Sequence, residues 1–477
     1  MTILEAEKVY GEAPIFKEPR IIGNFVLWLE QRPNEKGRTT ALIRPWKNKA
    51  VAPQELTPYP IDLRTKFHGY GGAPLTAILN GSDIVLTWID NSDNSLWTRS
   101  WSYEKYNDKS SSFNLTPSIQ SICLSKNNNY SLAGGIIDLE KHIWIGLLED
   151  DKGDHIVSFS LNKTNQKPNL IYSSPGFLGY LALNSKDNKL AWIEWQKTFM
   201  PWDLNELKLV KLNECQNIIN TVVFNNEYFK YDGKISFFNP IWSEKGELYV
   251  AEDSSGWWNI TQITTDANNQ SITISQNKWT IQAEIAFPQW TLGMSSFSCV
   301  GDDLIGAFTQ EGIWHLAFFK NNGSIKVIDQ PFNEFSGIYA NQNRLVAISS
   351  SSVIIEGIFE IDLLDKSWEH TPSSSVIFDP TEISIGESFW FLGSHEEKVH
   401  AWYYPPLNSQ IMPPPLLVKS HSGPTGMAHS GLNLEVQFWI SRGWGVVDVN
   451  YGGSSGFGRE YRDRLKGNWG VIDVFDC

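Results

Sequence analysis

Two glycine-rich turns near the end of the sequence contain residue types that suit acyl-transfer chemistry. The first turn, HSGP at residues 421–424, directly follows the apolar run Leu416–Lys419. In a turn of this shape a backbone N–H faces the reacting carbonyl, and a side chain larger than that of glycine would block the approach. The pattern therefore predicts an oxyanion loop, which stabilises the negative charge that develops on a carbonyl oxygen.

The second turn, GGSSG at residues 452–456, follows the apolar run Trp444–Val449 and satisfies the G-x-S-x-G pattern of a nucleophile elbow. Such a hydrolase needs a serine, an acid and a histidine in that chain order. No histidine follows Ser454, because the last one is His429. The next segment, Phe457–Lys466, is charged, whereas the helix after an elbow packs into a core. We interpret Ser454 as part of a structural loop, with a nucleophile as the alternative.

Three blocks of sequence in this region occur in a specific order. They are HSGPT at 421–425, NYGGSSGFG at 450–458, and Trp469-Gly470 with Asp473 and Asp476. They resemble H-G-G-P-T, N-Y-R-G-S-T-G-Y-G and W-G-x-x-D-v-x-D, which open the hydrolase domain in serine peptidases of the prolyl oligopeptidase type. The dipeptidyl and acylaminoacyl peptidase branch of that family shows the same patterns. The combination of three blocks is specific, whereas any one alone would be weak.

The resemblance implies roles for the first turn. The Gly423 N–H would be one oxyanion donor, and His421 would belong to the oxyanion loop, with a general base as its alternative role. Ser422 stands where the family usually has glycine. The family's nucleophile, acid and base come after the W-G-x-x-D block, and none of them lies within residues 1–477. We therefore expect this chain by itself to be catalytically inactive.

Other residues with chemical potential have structural interpretations. His395 and His400 flank a turn that contains two glutamates, which suggests a solvated hairpin, with a metal site as the alternative. The pair Trp257-Trp258 suggests packing within a blade, with substrate contact as the alternative. Four aspartates near the second turn have no histidine after them and are expected to form salt bridges or helix caps: Asp448, Asp463, Asp473 and Asp476.

One unit recurs between about residue 20 and residue 365, consisting of an apolar strand, a polar turn and a second strand. The copies are separated by about 40–60 residues, which is typical of a β-propeller. We predict seven blades. The recurring strands are Phe25–Leu29, Ile84–Ile89, Ile143–Leu148, Leu190–Trp195, Leu248–Ala251, Leu304–Phe308 and Leu345–Ile348.

Parts of this repeat also resemble the peptidase family. Residues 240–260 resemble its P-x-W-S-x-x-G-x-L blade, and residues 190–203 resemble its L-A-W…M-P-W-D blade. Residues 64–72 resemble its R-t-x-v-H-E-Y-G-G segment, with Gly69 where the family usually has glutamate. If that glutamate holds a substrate amine, the contact is missing here.

After the repeat, strands alternate with helices, which is typical of an α/β unit. We predict an antiparallel pair, Ser388–Leu392 and Val399–Tyr404, and a helix at Leu432–Arg442 that ends at Gly443. A short helix is predicted at Arg459–Lys466. The chain would thus consist of an all-β propeller of about seven blades at 1–368, followed by the N-terminal part of an α/β-hydrolase domain at 369–477.

Composition narrows the range of partners. The formal net charge of −14 argues against nucleic acid or an anionic membrane as the main partner. The first residues have neither the basic nor the apolar region of a signal peptide, and no window of eighteen or more apolar residues exists. The four cysteines are far apart in sequence, which suggests unpaired thiols in the cytoplasm.

These observations lead to one main hypothesis. By resemblance, the protein is a serine peptidase that cleaves short peptides by acyl transfer to serine and then to water, without a cofactor. One alternative is a non-catalytic propeller that binds a peptide or protein partner. Another is an esterase of the same fold. The sequence leaves the oligomeric state open.

Overall fold

The computed structural model describes residues 3–9, 11, 13–103, 113–117, 120–126, 129–229, 233–266, 268–269, 271–275, 278–374, 379–407 and 409–477. Within these residues, seven antiparallel sheets of four or five strands follow one another along the chain. An eighth sheet of four strands comes last. The predicted fold class, a propeller of about seven blades followed by α/β-hydrolase layers, is confirmed.

Each recurring apolar run is the second strand of one blade. These strands are buried on both faces because each blade packs against its neighbours around the ring, as in Phe25–Arg32, where the first five residues are all buried. Blade 1 contains β1 Ile15–Ile22, β2 Phe25–Arg32, β3 Arg38–Pro45 and β4 Gln54–Glu55, and blade 2 contains β5 Leu75–Asn80, β6 Asp83–Asp90, β7 Ser95–Ser102, β8 Thr116–Pro117 and β9 Ile122–Ser125. Blade 3 contains β10 Ser131–Asp138, β11 Ile143–Asp150, β12 Gly153–Ser160 and β13 Asn169–Ser174. Blade 4 contains β14 Phe177–Asn184, β15 Lys189–Trp195, β16 Glu206–Leu212 and β17 Ile218–Phe224.

The ring closes between blade 1 and blade 7 without exchange of strands. Each blade is built from one continuous stretch of chain, so side-chain contacts alone must join the two ends. Val26 and Trp28 of blade 1 share a buried cluster with Val346 and Ile358 of blade 7. Blade 5 contains β18 Phe237–Trp242, β19 Leu248–Glu252, β20 Asn259–Thr265 and β21 Ile272–Ser275. Blade 6 contains β22 Phe297–Val300, β23 Asp303–Gln310, β24 Ile313–Phe319 and β25 Ile325–Val327. Blade 7 contains β26 Glu334–Asn341, β27 Arg344–Ser350, β28 Gly357–Asp362 and β29 Trp368–Pro372.

The final sheet contains β30 Glu387–Leu392, β31 Lys398–Tyr404, β32 Leu416–Ser420 and β33 Gly445–Asn450, in the strand order β30-β31-β33-β32. Its first two strands are antiparallel, and β32 runs parallel to β33. The helix predicted before Gly443 forms over a shorter range, with Asn433 as its N-cap, and Gly443 has a left-handed φ of 83°. The described α-helices of the whole chain are α1 Ala6–Val9, α2 Leu434–Ile440, α3 Arg459–Asp463 and α4 Ile472–Asp476. Three described 3-10 turns lie at Pro33–Glu35, Pro380–Glu382 and Ser394–Glu396.

The outer strand of blade 7, β29, spans the predicted division between residues 368 and 369. The exact boundary between the two parts of the chain stays a prediction. No helix in the described ranges is long and apolar enough to span a membrane.

The C-terminal part exposes apolar side chains at one edge of its sheet. Within the described residues, β32 pairs only with β33, and Leu416 and Val418, which share one face of this edge strand, are 51% and 44% exposed. Trp469, before α4, and Phe475, within it, are also exposed apolar residues of the C-terminal part, at 68% and 75%. An unpaired edge beside apolar surface is a site of association.

We therefore expect residues 1–477 to self-associate at high concentration. Sedimentation velocity should show oligomers whose fraction rises with concentration, and a Trp469→Ser/Phe475→Ser variant should shift toward monomer. The exposed propeller residue Leu170, which is 59% exposed, provides a control substitution, Leu170→Ser, that should change nothing. A monodisperse monomer at every concentration would contradict this expectation.

Candidate active site

A cavity of about 650 Å³ lies where the propeller faces the C-terminal sheet. Trp290 and Met294 line it from the propeller, and His421, Thr425 and Met427 line it from the C-terminal part. The predicted oxyanion loop is therefore at the junction of the two parts, where a substrate would be largely shielded from water.

Gly423 has a φ of +72°, a left-handed conformation that glycine adopts without strain. Its carbonyl oxygen accepts a hydrogen bond of 2.8 Å from the Tyr451 hydroxyl, which fixes the orientation of the peptide. Among the described residues, the Gly423 N–H has no backbone acceptor. The loop thus presents a donor that is free to bond, as an oxyanion site requires. The catalytic role of Gly423 stays a prediction.

The same loop is held from the propeller side by Trp290. Its indole N–H donates a hydrogen bond of 3.2 Å to the Thr425 carbonyl oxygen. A Cβ added at Gly423 would lie 3.5 Å from the Trp290 ring. Trp290 in turn packs on Trp202 at 4.5 Å between ring centroids and on Tyr70 at 5.7 Å. The loop conformation therefore depends on both parts of the chain.

His421 and Ser454, which belong to different turns of the sequence, are in contact. The His421 Nε2 lies 2.7 Å from the Ser454 Oγ, and the His421 ring stacks on Tyr451 at 4.3 Å. Burial lowers the pKa of His421 to about 4, so the ring is neutral at pH 7. The distance alone would suit a serine–histidine pair.

Two features make this pair unsuitable for catalysis. Ser454 is fully buried, so a substrate carbonyl carbon has no path to its Oγ, and the hydroxyl also lies 2.8 Å from the Tyr451 carbonyl oxygen. The His421 Nδ1 faces the Ser422 carbonyl oxygen at 3.4 Å and the Tyr451 hydroxyl at 3.3 Å, with no carboxylate bonded to it within the described ranges. A triad needs an acid at that position to orient the ring.

We expect a fluorophosphonate probe to leave Ser454 unmodified in folded residues 1–477. Intact-mass and peptide mass spectrometry after incubation should show no adduct on the peptide that contains Ser454. Ser454→Ala should behave identically. An adduct on Ser454 that competes with a peptide substrate would overturn this interpretation.

The other candidate residues have defined partners. The hairpin interpretation predicted a solvated His400, but this residue is buried. Its ring nitrogens lie 3.0 Å from the Ser388 Oγ and 2.9 Å from the Asn450 amide nitrogen. Burial lowers its pKa to about 4. No cluster of three or more His, Cys, Asp or Glu suited to a metal ion occurs among the described residues. Two of the four aspartates form salt bridges, Asp448 with Lys419 and Asp463 with Lys466. The other two accept hydrogen bonds from backbone N–H groups, Asp473 from Gly470 and Asp476 from Ser394 and Gly452.

Two sets of contacts join the propeller to the C-terminal part, and no local sequence pattern indicated them; the first is at the cavity. Glu334 of blade 7 accepts hydrogen bonds from the Ser430 N–H at 2.6 Å and the Ser430 Oγ at 2.9 Å. Its other oxygen lies 3.0 Å from the His429 Nδ1. Desolvation opposes the charged form of His429, but the Glu334 carboxylate outweighs it, so the pKa of His429 is raised.

The second set of contacts is a buried clamp on α3, the helix that the sequence predicted only as charged. Arg462 of α3 lies 2.7 Å from the Asp253 carboxylate and 3.5 Å from Glu284, both on the propeller. Arg459 also reaches Asp253, at 2.5 Å. The Arg462 guanidinium stacks over Trp258 at 4.1 Å, which places that tryptophan in packing, as predicted. In the sequence, only the spacing of Arg459 and Arg462, three residues apart, could have indicated this contact with the propeller.

Together, the fold and the loop define the class: a β-propeller joined to the opening layers of a hydrolase sheet. Residues 430–477 match the family model described as the prolyl oligopeptidase family. The resemblance to that family, first seen in the three sequence blocks, is confirmed.

Individual proteins are similar over different lengths. A puromycin-hydrolyzing peptidase of Mycobacterium tuberculosis has a TM-score of 0.86 at 24% identity, covering 100% of this chain and 72% of that one. An acylaminoacyl peptidase of Pyrococcus horikoshii has a TM-score of 0.62 at 13% identity, covering 97% and 69%. At these identities the structures show the shared fold.

Curated relatives match in shorter stretches. The uncharacterized peptidase YuxL of Bacillus subtilis is 24% identical over 190 residues, which is 40% of this chain and 28% of the relative. A dipeptidyl-peptidase 4 of Giardia intestinalis is 35% identical over 77 residues, which is 16% of this chain and 10% of the relative. The matched stretches thus span less than a third of these relatives' lengths.

Proposed function

We propose that this protein is a serine-type peptidase of the prolyl oligopeptidase kind that acts on short peptides. In this proposal, residues 1–477 supply the propeller and the oxyanion loop. The observation that carries it is the Gly423 N–H, which has no backbone acceptor among the described residues, in a loop at the edge of an interdomain cavity. We also propose a cytoplasmic location, supported by the four unpaired cysteines.

The reaction would be acyl transfer. A serine attacks the peptide carbonyl, and the negative charge that develops on its oxygen is stabilised by the Gly423 N–H. The amine leaves, and water then releases the acyl group from the serine. The names of the matched proteins, a puromycin-hydrolyzing peptidase and a dipeptidyl-peptidase, support aminoacyl or dipeptidyl substrates.

The residues that would attack and transfer protons lie outside positions 1–477 in this proposal, and residues 1–477 alone are expected to be inactive. The coding DNA beyond the Cys477 codon tests this directly. An open frame that encodes G-x-S-x-G-G, then an aspartate, then a histidine supports the peptidase. A stop codon with no such sequence in any frame favours a non-catalytic module that binds a peptide in the same cavity.

In the product of the open frame, Gly423→Val should lower kcat on aminoacyl and dipeptidyl chromogenic substrates by about 10²–10³-fold, because the side chain displaces the donor from the oxyanion. Gly467→Val is a matched control, since Gly467 also has a left-handed φ, 76°, and a Cβ there would meet no atom within 4 Å. Equal loss of activity in both variants would count against an oxyanion role for Gly423. Turnover of ester substrates but not of amides would favour the esterase.

A further inference from the structure

We infer that residues 290–295 close the central channel of the propeller on the side of the C-terminal sheet, so that peptides reach the interdomain cavity from its rim and not through the ring. The inference about substrates rests on the proposed function. The closure itself is independent of it.

The inner strand of blade 6 is unusually short. This strand, β22, has four residues, whereas the inner strands of blades 1, 3, 4 and 7 each have eight and those of blades 2 and 5 have six. The chain that precedes β22 crosses the channel in place of lining it. The strand β22 is thus the shortest inner strand of the seven described blades, and the residues before it follow another path.

This crossing segment, residues 290–295, is hydrogen-bonded to several sides of the ring. The Leu292 N–H donates to the Gly71 carbonyl oxygen at 3.0 Å, before blade 2. The Tyr180 hydroxyl of blade 4 donates to the Thr291 carbonyl oxygen at 2.7 Å. The Ser295 Oγ donates to the Ile338 carbonyl oxygen of blade 7 at 2.9 Å. A segment fixed to blades around the ring cannot swing aside without breaking these bonds together.

The crossing segment separates two cavities. A channel cavity of about 950 Å³ lies on the far side and reaches the turns at Gly301 and Gln342. The interdomain cavity of about 650 Å³ lies on the near side. Met294 lines both, and Leu292 lines the channel cavity, where it is 7% exposed. The partition between the two cavities is therefore about one side chain thick at Met294.

A closed channel has a consequence for substrate selection. A peptide that threads through a ring must be narrow and extended along the whole channel, whereas one that enters at the rim must fit only the gap between the two parts. The proposed peptidase would therefore select substrates by the width of that gap. Glu334, which lines the cavity, joins the two parts through Ser430 and so helps to set this width.

Thiol labelling of the full 477-residue chain tests the closure without any measurement of hydrolysis. The four native cysteines are replaced by serine. A reporter thiol is introduced by Ser336→Cys, at an exposed residue on the interdomain cavity, and an anchor thiol by Gln342→Cys, at the far mouth of the channel. The anchor is first blocked with a polyethylene glycol maleimide too large to enter either cavity. The rate at which methyl methanethiosulfonate modifies the reporter is then measured.

We expect the same reporter rate with and without the block at the far mouth. A several-fold slower rate after blocking would overturn the inference, because it would mean that reagents arrive through the channel. In a Leu292→Gly/Met294→Gly variant the rate should rise several-fold, and the block should remove the rise. Met294→Ala serves where the double variant does not fold. If the opened variants gain no sensitivity to the block, residues 290–295 are not the barrier and the inference fails.

Discussion

Replacing Arg462 by alanine is expected to lower the free energy of unfolding by about 3–5 kcal/mol. Arg462 is 1% exposed at its side chain, and its partners Asp253 and Glu284 are 0% exposed. Without the guanidinium, Glu284 loses its cationic partner and Asp253 keeps only Arg459, so the buried carboxylates lose charge that compensates their desolvation. The variant also loses the stacking on Trp258. Chemical denaturation followed by fluorescence measures the change.

Lys466→Ala is the matched control, because Lys466 also joins the C-terminal part to the propeller, through Asp203 at 2.9 Å. Its side chain is 38% exposed, so solvent weakens the pair and the loss should be below about 1 kcal/mol. If Arg462→Ala destabilised no more than Lys466→Ala, the buried clamp would not stabilise the junction.

The same clamp predicts a dependence on pH. Burial raises the pKa of Glu284 to about 7, against the opposing effect of Arg462. Between the ordinary value of 4.5 and this value, the folded protein holds a proton that the unfolded chain has released. The contribution of Glu284 to stability is therefore greatest at low pH and falls as pH rises from 4.5 towards 7. Glu284→Gln should flatten this part of the stability profile, and unchanged slopes in the two proteins would refute the assignment.

The second large effect is expected at the closure of the ring. Arg44 of blade 1 forms an ion pair with Glu360 of blade 7, and their side chains are 1% and 0% exposed. Glu360 also accepts a hydrogen bond of 2.8 Å from the Lys47 N–H. Since no strand is shared between these blades, the pair lies at the one junction in the ring that is not made by consecutive blades. Arg44→Ala should destabilise the protein by about 3–5 kcal/mol.

Two comparisons make this second prediction specific. Lys245→Ala removes an exposed ion pair with Asp302, whose two side chains are 62% and 55% exposed, and should have little effect. The double variant Arg44→Met/Glu360→Leu removes both charges and should be more stable than Arg44→Ala, because no buried charge remains unpaired. A double variant less stable than the single one would show that packing, and not desolvation, dominates at this junction.

The sequence by itself determined the architecture of this protein. Seven apolar runs with turns between them have the period of blades, and each became the buried second strand of one sheet, because local strand patterns and turn residues act over a few residues. Gly423 could be selected for the same reason, since the conformation of a tight turn is a local property and the structure gives it a left-handed φ.

Only the tertiary structure decided which distant residues meet. The contact of His421 with Ser454, the stacking of Arg462 over Trp258, and the path of residues 290–295 across the channel join positions far apart in sequence. The charge of Arg462 is typical of a surface residue, so the sequence predicted exposure. Its burial depends on what another part of the chain places beside it. Whether a charged or glycine-rich segment faces water or a partner is set by packing, which no local pattern records.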